Sequence, residues 1–290
     1  MDHSDVTRLP EWIRKERINL QELHDMKVTL RRQGLHTVCE SAMCPNRGEC
    51  FKKGTATFLL LGDVCTRNCG FCNVLSGRPE TLDVGEPGRI ANTVHEMGIR
   101  YVVLTMVNRD DLSDGGAEIV AETARKIKEV SPGAKVEALV GDFQGNRDAL
   151  RIILDCPIDV FNHNIEMVER LFPRIRPKAN YRQSLAILKL AATETTTPTK
   201  SGFMVGLGET DEEIQVLMSD LREAGVTILT IGQYLRPSVR NIKVAKYYTP
   251  EEFDNLAERG EKMGFSYVFA GPFVRSSYMA EEVFGAVAHG

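Results

Sequence analysis

Six of the seven cysteines fall between positions 39 and 72, in two sets of three. Cys39, Cys44 and Cys50 form a Cys-x4-Cys-x5-Cys set; Cys65, Cys69 and Cys72 form a Cys-x3-Cys-x2-Cys set. Clustered thiols in a reducing compartment point to metal or redox chemistry rather than disulfides. Structural zinc closes with four ligands, usually from paired Cys-x2-Cys knuckles. An ordinary cubane iron–sulfur cluster also takes four cysteines. Three thiolates hold three irons of a [4Fe–4S] cluster and leave the fourth open, and an open metal position, by analogy with zinc, marks a catalytic site. The first triad needs a fourth ligand from elsewhere in the chain, or stays open as well. Cys156, in "ILDCPID", stands apart at the end of a helical segment and is expected to be a buried small hydrophobe.

These residues need a frame to hold them. The chain has 290 residues, 42% apolar and 26% charged, enough for a sizeable core. Its formal net charge is -4 and no Lys/Arg-rich run stands out, so no nucleic-acid partner is expected. The start "MDHSDVTRLP" has neither a basic n-region nor an apolar h-region, and runs such as "FLLLG" and "YVVLTMV" are too short to span a bilayer. The expectation is a cytoplasmic protein with no membrane partner. Near-continuous apolar runs read as parallel strands buried on both faces: "TATFLLLG", "YVVLTMV", "AKVEALV", "IDVFNH", "TKSGFMVG" and "TILTIGQYL", with "YVFAG" as a further candidate. Helix-like segments alternate with them, among them "GRIANTVHEMG", "NYRQSLAILKLAATE" and "ETDEEIQVLMSDLREAG". The predicted fold is α/β, a partial (β/α)6 TIM-like barrel over 55–266. Residues 1–54 form an N-terminal extension with a helix in "INLQELHDMKVTLRRQG", and 267–290 a C-terminal tail closing the site. In such barrels ligands lie at the C-terminal ends of the strands.

Several motifs fall at those ends. "VNRDDLSDGGA" brings Asn108, Asp110, Asp111, Gly115 and Gly116 to a possible ligand pocket, although Asp and Gly are also ordinary loop formers. Glu137 lies inside the strand "AKVEALV", where a carboxylate needs a partner: either a cofactor amine or ribose, or an ion pair. "FNHNIE" puts Asn162, His163 and Asn164 at the fourth strand's end, with His163 expected to be a packed, hydrogen-bonded histidine. "GFMVGLGE" ends the fifth strand with Gly206 and Gly208, which permit close backbone approach.

A Cys-x3-Cys-x2-Cys loop directly after the first strand, with Phe71 before the last cysteine, resembles the radical S-adenosylmethionine superfamily. The resemblance implies that S-adenosylmethionine chelates the open iron and is cleaved to a 5′-deoxyadenosyl radical. It also implies that Phe71, Asn108, Glu137, Asn162, Asn164 and Gly206 surround that cofactor. The fuller order of Cys-x4-Cys-x5-Cys, "GTATF", "CTRNCGFC", "RDDLSDGGA", "VFNHNIE", "VGLGE" and "RSSY", from about Cys39 to Tyr278, is similar to the lipoyl synthase family. That resemblance implies two [4Fe–4S] clusters. The auxiliary one is bound by Cys39, Cys44, Cys50 and Ser277 and consumed as sulfur source. Arg275 then neutralises the cluster surroundings or holds the cofactor carboxylate, with Arg236 a weaker candidate. The implied reaction inserts two sulfur atoms, at C6 and C8 of an octanoyl chain on a carrier lysine, using two S-adenosylmethionine. The implied partners are octanoylated carrier domains (the acyltransferase subunit of 2-oxoacid dehydrogenases and the glycine cleavage H protein) and an electron donor such as ferredoxin or flavodoxin. Two positions depart from the family pattern: Met279 stands where many members carry histidine, and Asn108 where aspartate is common. A methylthiotransferase-like sulfur inserter and a two-cluster electron carrier are the other readings. The first would bring an RNA-binding module that the sequence does not suggest; the second has no need of a βα barrel.

Overall fold

Alternation of apolar runs with amphipathic segments produces a parallel sheet with helices packed on its outer face. The computed structural model describes residues 9–13, 32–38, 46, 55–278 and 280. The first cysteine triad, Met279, residues 281–290 and the expected N-terminal helix, apart from 32–34, lie outside the described residues.

The chain enters the sheet at β1 (His36–Thr37) and continues through β2 (Thr55–Leu60), a small ladder β3 (Val64–Cys65) and β4 (Leu75–Ser76), and α1 (Glu86–Glu96). Regular units follow: β5 (Tyr101–Met106), α2 (Ala117–Val130), β6 (Lys135–Leu139), α3 (Arg147–Leu154), β7 (Val160–Asn162), α4 (Phe172–Ile175) and α5 (Tyr181–Glu194). The last are β8 (Thr199–Val205), α6 (Asp211–Glu223), β9 (Ile228–Gln233), α7 (Pro250–Lys262) and β10 (Tyr267–Gly271). The main sheet runs β1-β2-β5-β6-β7-β8-β9-β10. All neighbours are parallel except β1, which pairs antiparallel with β2. It is a partial barrel, open between its two edge strands. Seven parallel strands replace the six expected, because "YVFAG" pairs with β9 from Tyr267↔Ile228 to Gly271↔Gly232. The sheet therefore extends five residues beyond the boundary expected at 266.

Helix boundaries follow local chemistry. In α6, Thr210 and Glu213 close a capping box, and in α7 Thr249 and Glu252 do the same. In α5, the Asn180 side chain accepts from the Gln183 N–H. The two faces of the sheet differ. Val102 and Leu104 of β5, with Val136 and Ala138 of β6, join the large core beneath the helices. The alternate residues Tyr101, Val103 and Leu139 face the lumen and pack with Ala280 of the tail. The tail reaches the lumen across Gly232, where a Cβ would lie 2.2 Å from the Val274 carbonyl oxygen. No helix among the described residues is long and apolar enough to cross a membrane.

Candidate active site at the barrel mouth

Cys65 closes β3, and the segment to Cys72 forms the loop that follows. Backbone N–H groups of Arg67 and Asn108 point at Cys65 Sγ, 3.4 and 3.3 Å away, and that of Val74 points at Cys72 Sγ at 3.4 Å. Such N–H···S contacts stabilise thiolate sulfur and tune iron–sulfur clusters. Burial pushes the Cys69 thiol up, against the pull of Arg176, and pushes Cys72 up to about 11. Metal loading therefore has to release protons here. Among the described residues no three His, Cys, Asp or Glu side chains gather as a lone ion requires; a cubane instead gives each thiolate its own iron.

The loop is clamped by five neighbours. Arg67, between the first two cysteines, has a side chain only 2% exposed. Its Nε and Nη2 donate to Asp110 at 2.8 Å each, and Nη1 donates to Asp142 Oδ2 at 2.8 Å. Burial opposes the charge on both Arg67 and Asp142, but their hydrogen bonds and attraction prevail. Arg67 is held above its ordinary range and Asp142 below the usual carboxylate range. The Thr66 N–H donates to the Asn108 carbonyl at 3.0 Å, and the Gly70 N–H to that of Ile175 at 2.8 Å. From the loop after β9, Asn241 Nδ2 donates to the Gly70 and Cys72 carbonyls at 3.2 and 2.9 Å.

The other expected residues separate into groups. Phe71 is half-buried against the core. Asn108 borders a cavity of about 390 Å³ together with Asp110, Ser113, Gly115, Phe143 and Asn146. Asp111 instead pairs with Arg109 at 2.8 Å, and Gly116 (φ +91°) packs so closely on Leu61 that no Cβ fits. Gly206 (φ +97°) has the same constraint: a Cβ there would meet Gln233 Nε2 at 2.2 Å and the Lys246 carbonyl at 2.5 Å. Glu137 is fully buried; Tyr101 Oη donates to it at 2.8 Å, Asn162 Nδ2 at 2.6 Å, and Lys200 Nζ to both oxygens at 3.0 Å. The ion-pair partner expected of a carboxylate in this strand is Lys200. His163 lies between the Val140 carbonyl (2.8 Å) and Ser184 Oγ (3.0 Å), and burial lowers its pKa to about 4, which makes it a neutral packing residue.

In the tail, Ser276 Oγ accepts from Asn162 Nδ2 at 2.7 Å and donates to Asn164 Oδ1 at 3.0 Å. The turn is closed by the Tyr278 N–H on the Arg275 carbonyl at 2.9 Å, and Tyr278 stacks on Phe269 with ring centroids 5.9 Å apart. Ser277 and Arg275 are half-buried. Arg236 clasps its own loop, Nε on the Asn241 carbonyl at 2.8 Å.

Four residues escaped the sequence reading. Lys200 carries the same signal that marked Glu137, a charge within an apolar strand, and pairing the two would have found it. Glu166 ends "FNHNIE"; it is half-buried at φ 74°, and desolvation raises its carboxyl pKa against the pull of Arg176. Arg67 and Arg176 look like surface residues in the sequence. Two buried polar atoms here lack partners among the described residues, the acceptor Asn162 Oδ1 and the donor Arg176 Nε. Buried unpaired groups are costly and call for an explanation. A ligand carrying both an ammonium or hydroxyl donor and a carboxylate acceptor matches them, as S-adenosylmethionine does.

Cys156 follows α3, is buried, and its Sγ donates to the Ile153 carbonyl at 3.0 Å; burial pushes its thiol up to about 12. Cys156→Ala should therefore lower stability by roughly 1–3 kcal/mol and leave iron content unchanged, as read by thermal denaturation and iron analysis. Loss of either cluster from the folded variant would contradict this.

The radical SAM superfamily model matches residues 59–221. The chain is 53% identical over 274 residues to lipoyl synthase of Rubrobacter xylanophilus, covering 94% of this chain and 85% of that one. It is 49% identical over 283 residues to lipoyl synthase of Proteus mirabilis, covering 97% and 88%. Among solved structures, the FeFe-hydrogenase maturase HydG from Carboxydothermus hydrogenoformans superposes with TM-score 0.61 at 12% identity, over 92% of this chain and 69% of that one. Streptococcus suis SuiB bound to S-adenosylmethionine gives 0.59 at 13% identity, over 87% of this chain and 54% of that one. Fold, cysteine loop and sequence agree: the chain belongs to the lipoyl synthase family, sulfur-inserting enzymes of the radical S-adenosylmethionine superfamily that work with an iron–sulfur cluster and S-adenosylmethionine.

Proposed function

We propose that the protein inserts two sulfur atoms at C6 and C8 of an octanoyl chain amide-linked to a lysine of a carrier domain. Its carriers are the acyltransferase subunit of 2-oxoacid dehydrogenases and the glycine cleavage H protein, and ferredoxin or flavodoxin is its electron donor in the cytoplasm. Cys65, Cys69 and Cys72 hold the radical-generating cluster. Cys39, Cys44, Cys50 and Ser277 hold a second [4Fe–4S] cluster that gives up its sulfur. The observation carrying this reading is the seating of the tail in the barrel mouth, with Ser276 bound to two asparagines at the end of β7 and Ser277 beside it.

When bound, the first cluster and S-adenosylmethionine supply a carbon radical able to take hydrogen from an unactivated methylene. The chain's own residues do the rest. The clamps on the cysteine loop keep the thiolates in place, so little reorganisation is needed on loading. Arg176 Nε and Asn162 Oδ1, both buried without a partner among the described residues, would take the charged groups of the cofactor's amino-acid end, and Glu166 with Asn164 would meet its ribose. Phe71 and the apolar wall beneath it exclude water and stray hydrogen donors. Ser277 presents an oxygen ligand, harder and more easily displaced from iron than thiolate, and protonation of its alkoxide eases release once sulfide is given up.

Turnover of an octanoyl-lysine peptide by the anaerobically reconstituted protein, followed by mass analysis, tests the reading. Ser277→Cys should load the auxiliary cluster fully yet make no lipoyl product, because thiolate is the firmer ligand. Ser277→Ala should weaken that cluster and also lose product, while S-adenosylmethionine cleavage survives in both. Normal lipoyl yield from Ser277→Ala would remove Ser277 from the mechanism.

A further inference from the structure

The lumen holds a hydrogen-bonded chain that joins the floor of the barrel to the tail. Lys200 and Glu137 are 2% and 0% exposed in their side chains, on β8 and β6. A buried ion pair is weak support for stability, but fully satisfied it fixes geometry. Here the Glu137 carboxylate takes both Lys200 contacts, the Tyr101 hydroxyl and one proton of the Asn162 amide. The second proton of Asn162 Nδ2 is thereby aimed at Ser276 Oγ, 2.7 Å away. The Ser276 hydroxyl passes its own proton on to Asn164 Oδ1 at 3.0 Å. With one amide proton fixed on Glu137, Asn162 directs the other to Ser276, and Ser276 directs its own to Asn164, so each member fixes the orientation of the next.

The tail is hydrogen-bonded to this chain through Ser276. On one side of it, the Val274 carbonyl passes over Gly232 so closely that no Cβ fits there. On the other side, Ala280 packs against Tyr101, a member of the same chain. Ser277 sits between these pins. Asn164, at the far end, is a group that the functional reading above places on the cofactor.

We propose that Ser276 is the positioning residue of the tail, which sets the place of Ser277 and, through Asn164, links order in the tail to occupancy of the cofactor site. The proposal rests on the reading of Ser277 as a cluster ligand. Linkage makes the effect reciprocal: cofactor that orders Asn164 orders the tail, and a tail held by Ser276 favours cofactor binding. Lys200 acts one step further back, by holding Glu137 and hence Asn162.

Amide hydrogen exchange of residues 272–280 tests this, measured on cluster-free protein and on reconstituted protein with and without S-adenosylmethionine. In the wild type, S-adenosylmethionine should slow exchange across Arg275–Tyr278. Ser276→Ala leaves a donor and an acceptor unmatched, so exchange there should rise about tenfold in the cluster-free protein, and the response to S-adenosylmethionine should vanish. Ser276→Thr keeps the hydroxyl and should restore both. Lys200→Met should loosen the tail in the same direction. Wild-type exchange in Ser276→Ala would overturn the positioning role, and a wild-type tail indifferent to S-adenosylmethionine would overturn the link even if Ser276→Ala fails to fold. The ligand reading fails separately: normal product from Ser277→Ala removes it, whatever the exchange of the Ser276 variants.

Discussion

Replacing Cys65, Cys69 and Cys72 together with Ala is expected to leave about half the iron of the wild type and to abolish S-adenosylmethionine cleavage. The wild type should carry about eight irons and eight sulfides after anaerobic reconstitution, two cubanes' worth. Replacing Cys39, Cys44 and Cys50 should also leave about half the iron, yet cleavage should continue while sulfur insertion stops. The asymmetry follows from geometry at the second triad. That loop lies at the barrel mouth, with N–H groups directed at Cys65 and Cys72 and Arg176 facing Cys69. Among the described residues Arg176 Nε and Asn162 Oδ1 are buried without a partner, and in the proposed reading they would take the cofactor's charged groups. Iron analysis, cluster spectra and quantified 5′-deoxyadenosine separate the two variants. Equal cleavage by both would defeat the division of labour.

The strands were legible because parallel strands buried on both faces leave unbroken apolar runs, and all seven such runs are strands in the structure. Helix ends were legible where a capping side chain stands at the start, as at Thr210, or a glycine in the left-handed region stands just past the end, as Gly225 does at φ +83°. The cysteine loop was legible because its chemistry is local to eight residues. What stayed hidden depends on partners far away in sequence. Arg67 meets Asp142 across 75 positions, and Lys200 meets Glu137 across 63. Periodicity carries no trace of such pairs. Finding Lys200 as the partner of Glu137 needed the neighbouring strands in register. The role of Ser276, one residue from the serine that drew notice, needed the path of the tail across Gly232.

Arg67→Met should remove the radical cluster without touching a cysteine. The guanidinium is the only cation bonded to the fully buried Asp142 among the described residues, and it also holds Asp110. Removing one partner of a buried pair typically costs about 3–5 kcal/mol, because the other charge is left in low dielectric. Arg67→Lys should fare little better, since a single ammonium cannot bridge two carboxylates bidentately. The pH dependence identifies the cause. In the wild type the depressed Asp142 pKa contributes stability above the unfolded carboxylate value, lost as pH falls through the folded pKa. In Arg67→Met burial is opposed only weakly, by the Gln144 N–H that still donates to Asp142 at 3.0 Å, and raises that pKa, so the cost grows as pH rises above the unfolded value and shrinks on acidification. Urea denaturation of the cluster-free proteins should therefore show a gap between wild type and variant that is smaller at about pH 5 than at pH 7. Arg67→Met combined with Asp142→Asn should recover part of the stability, because no buried charge is then left unpaired. A gap independent of pH, together with normal iron content, would show that the loop is held by its backbone clamps alone.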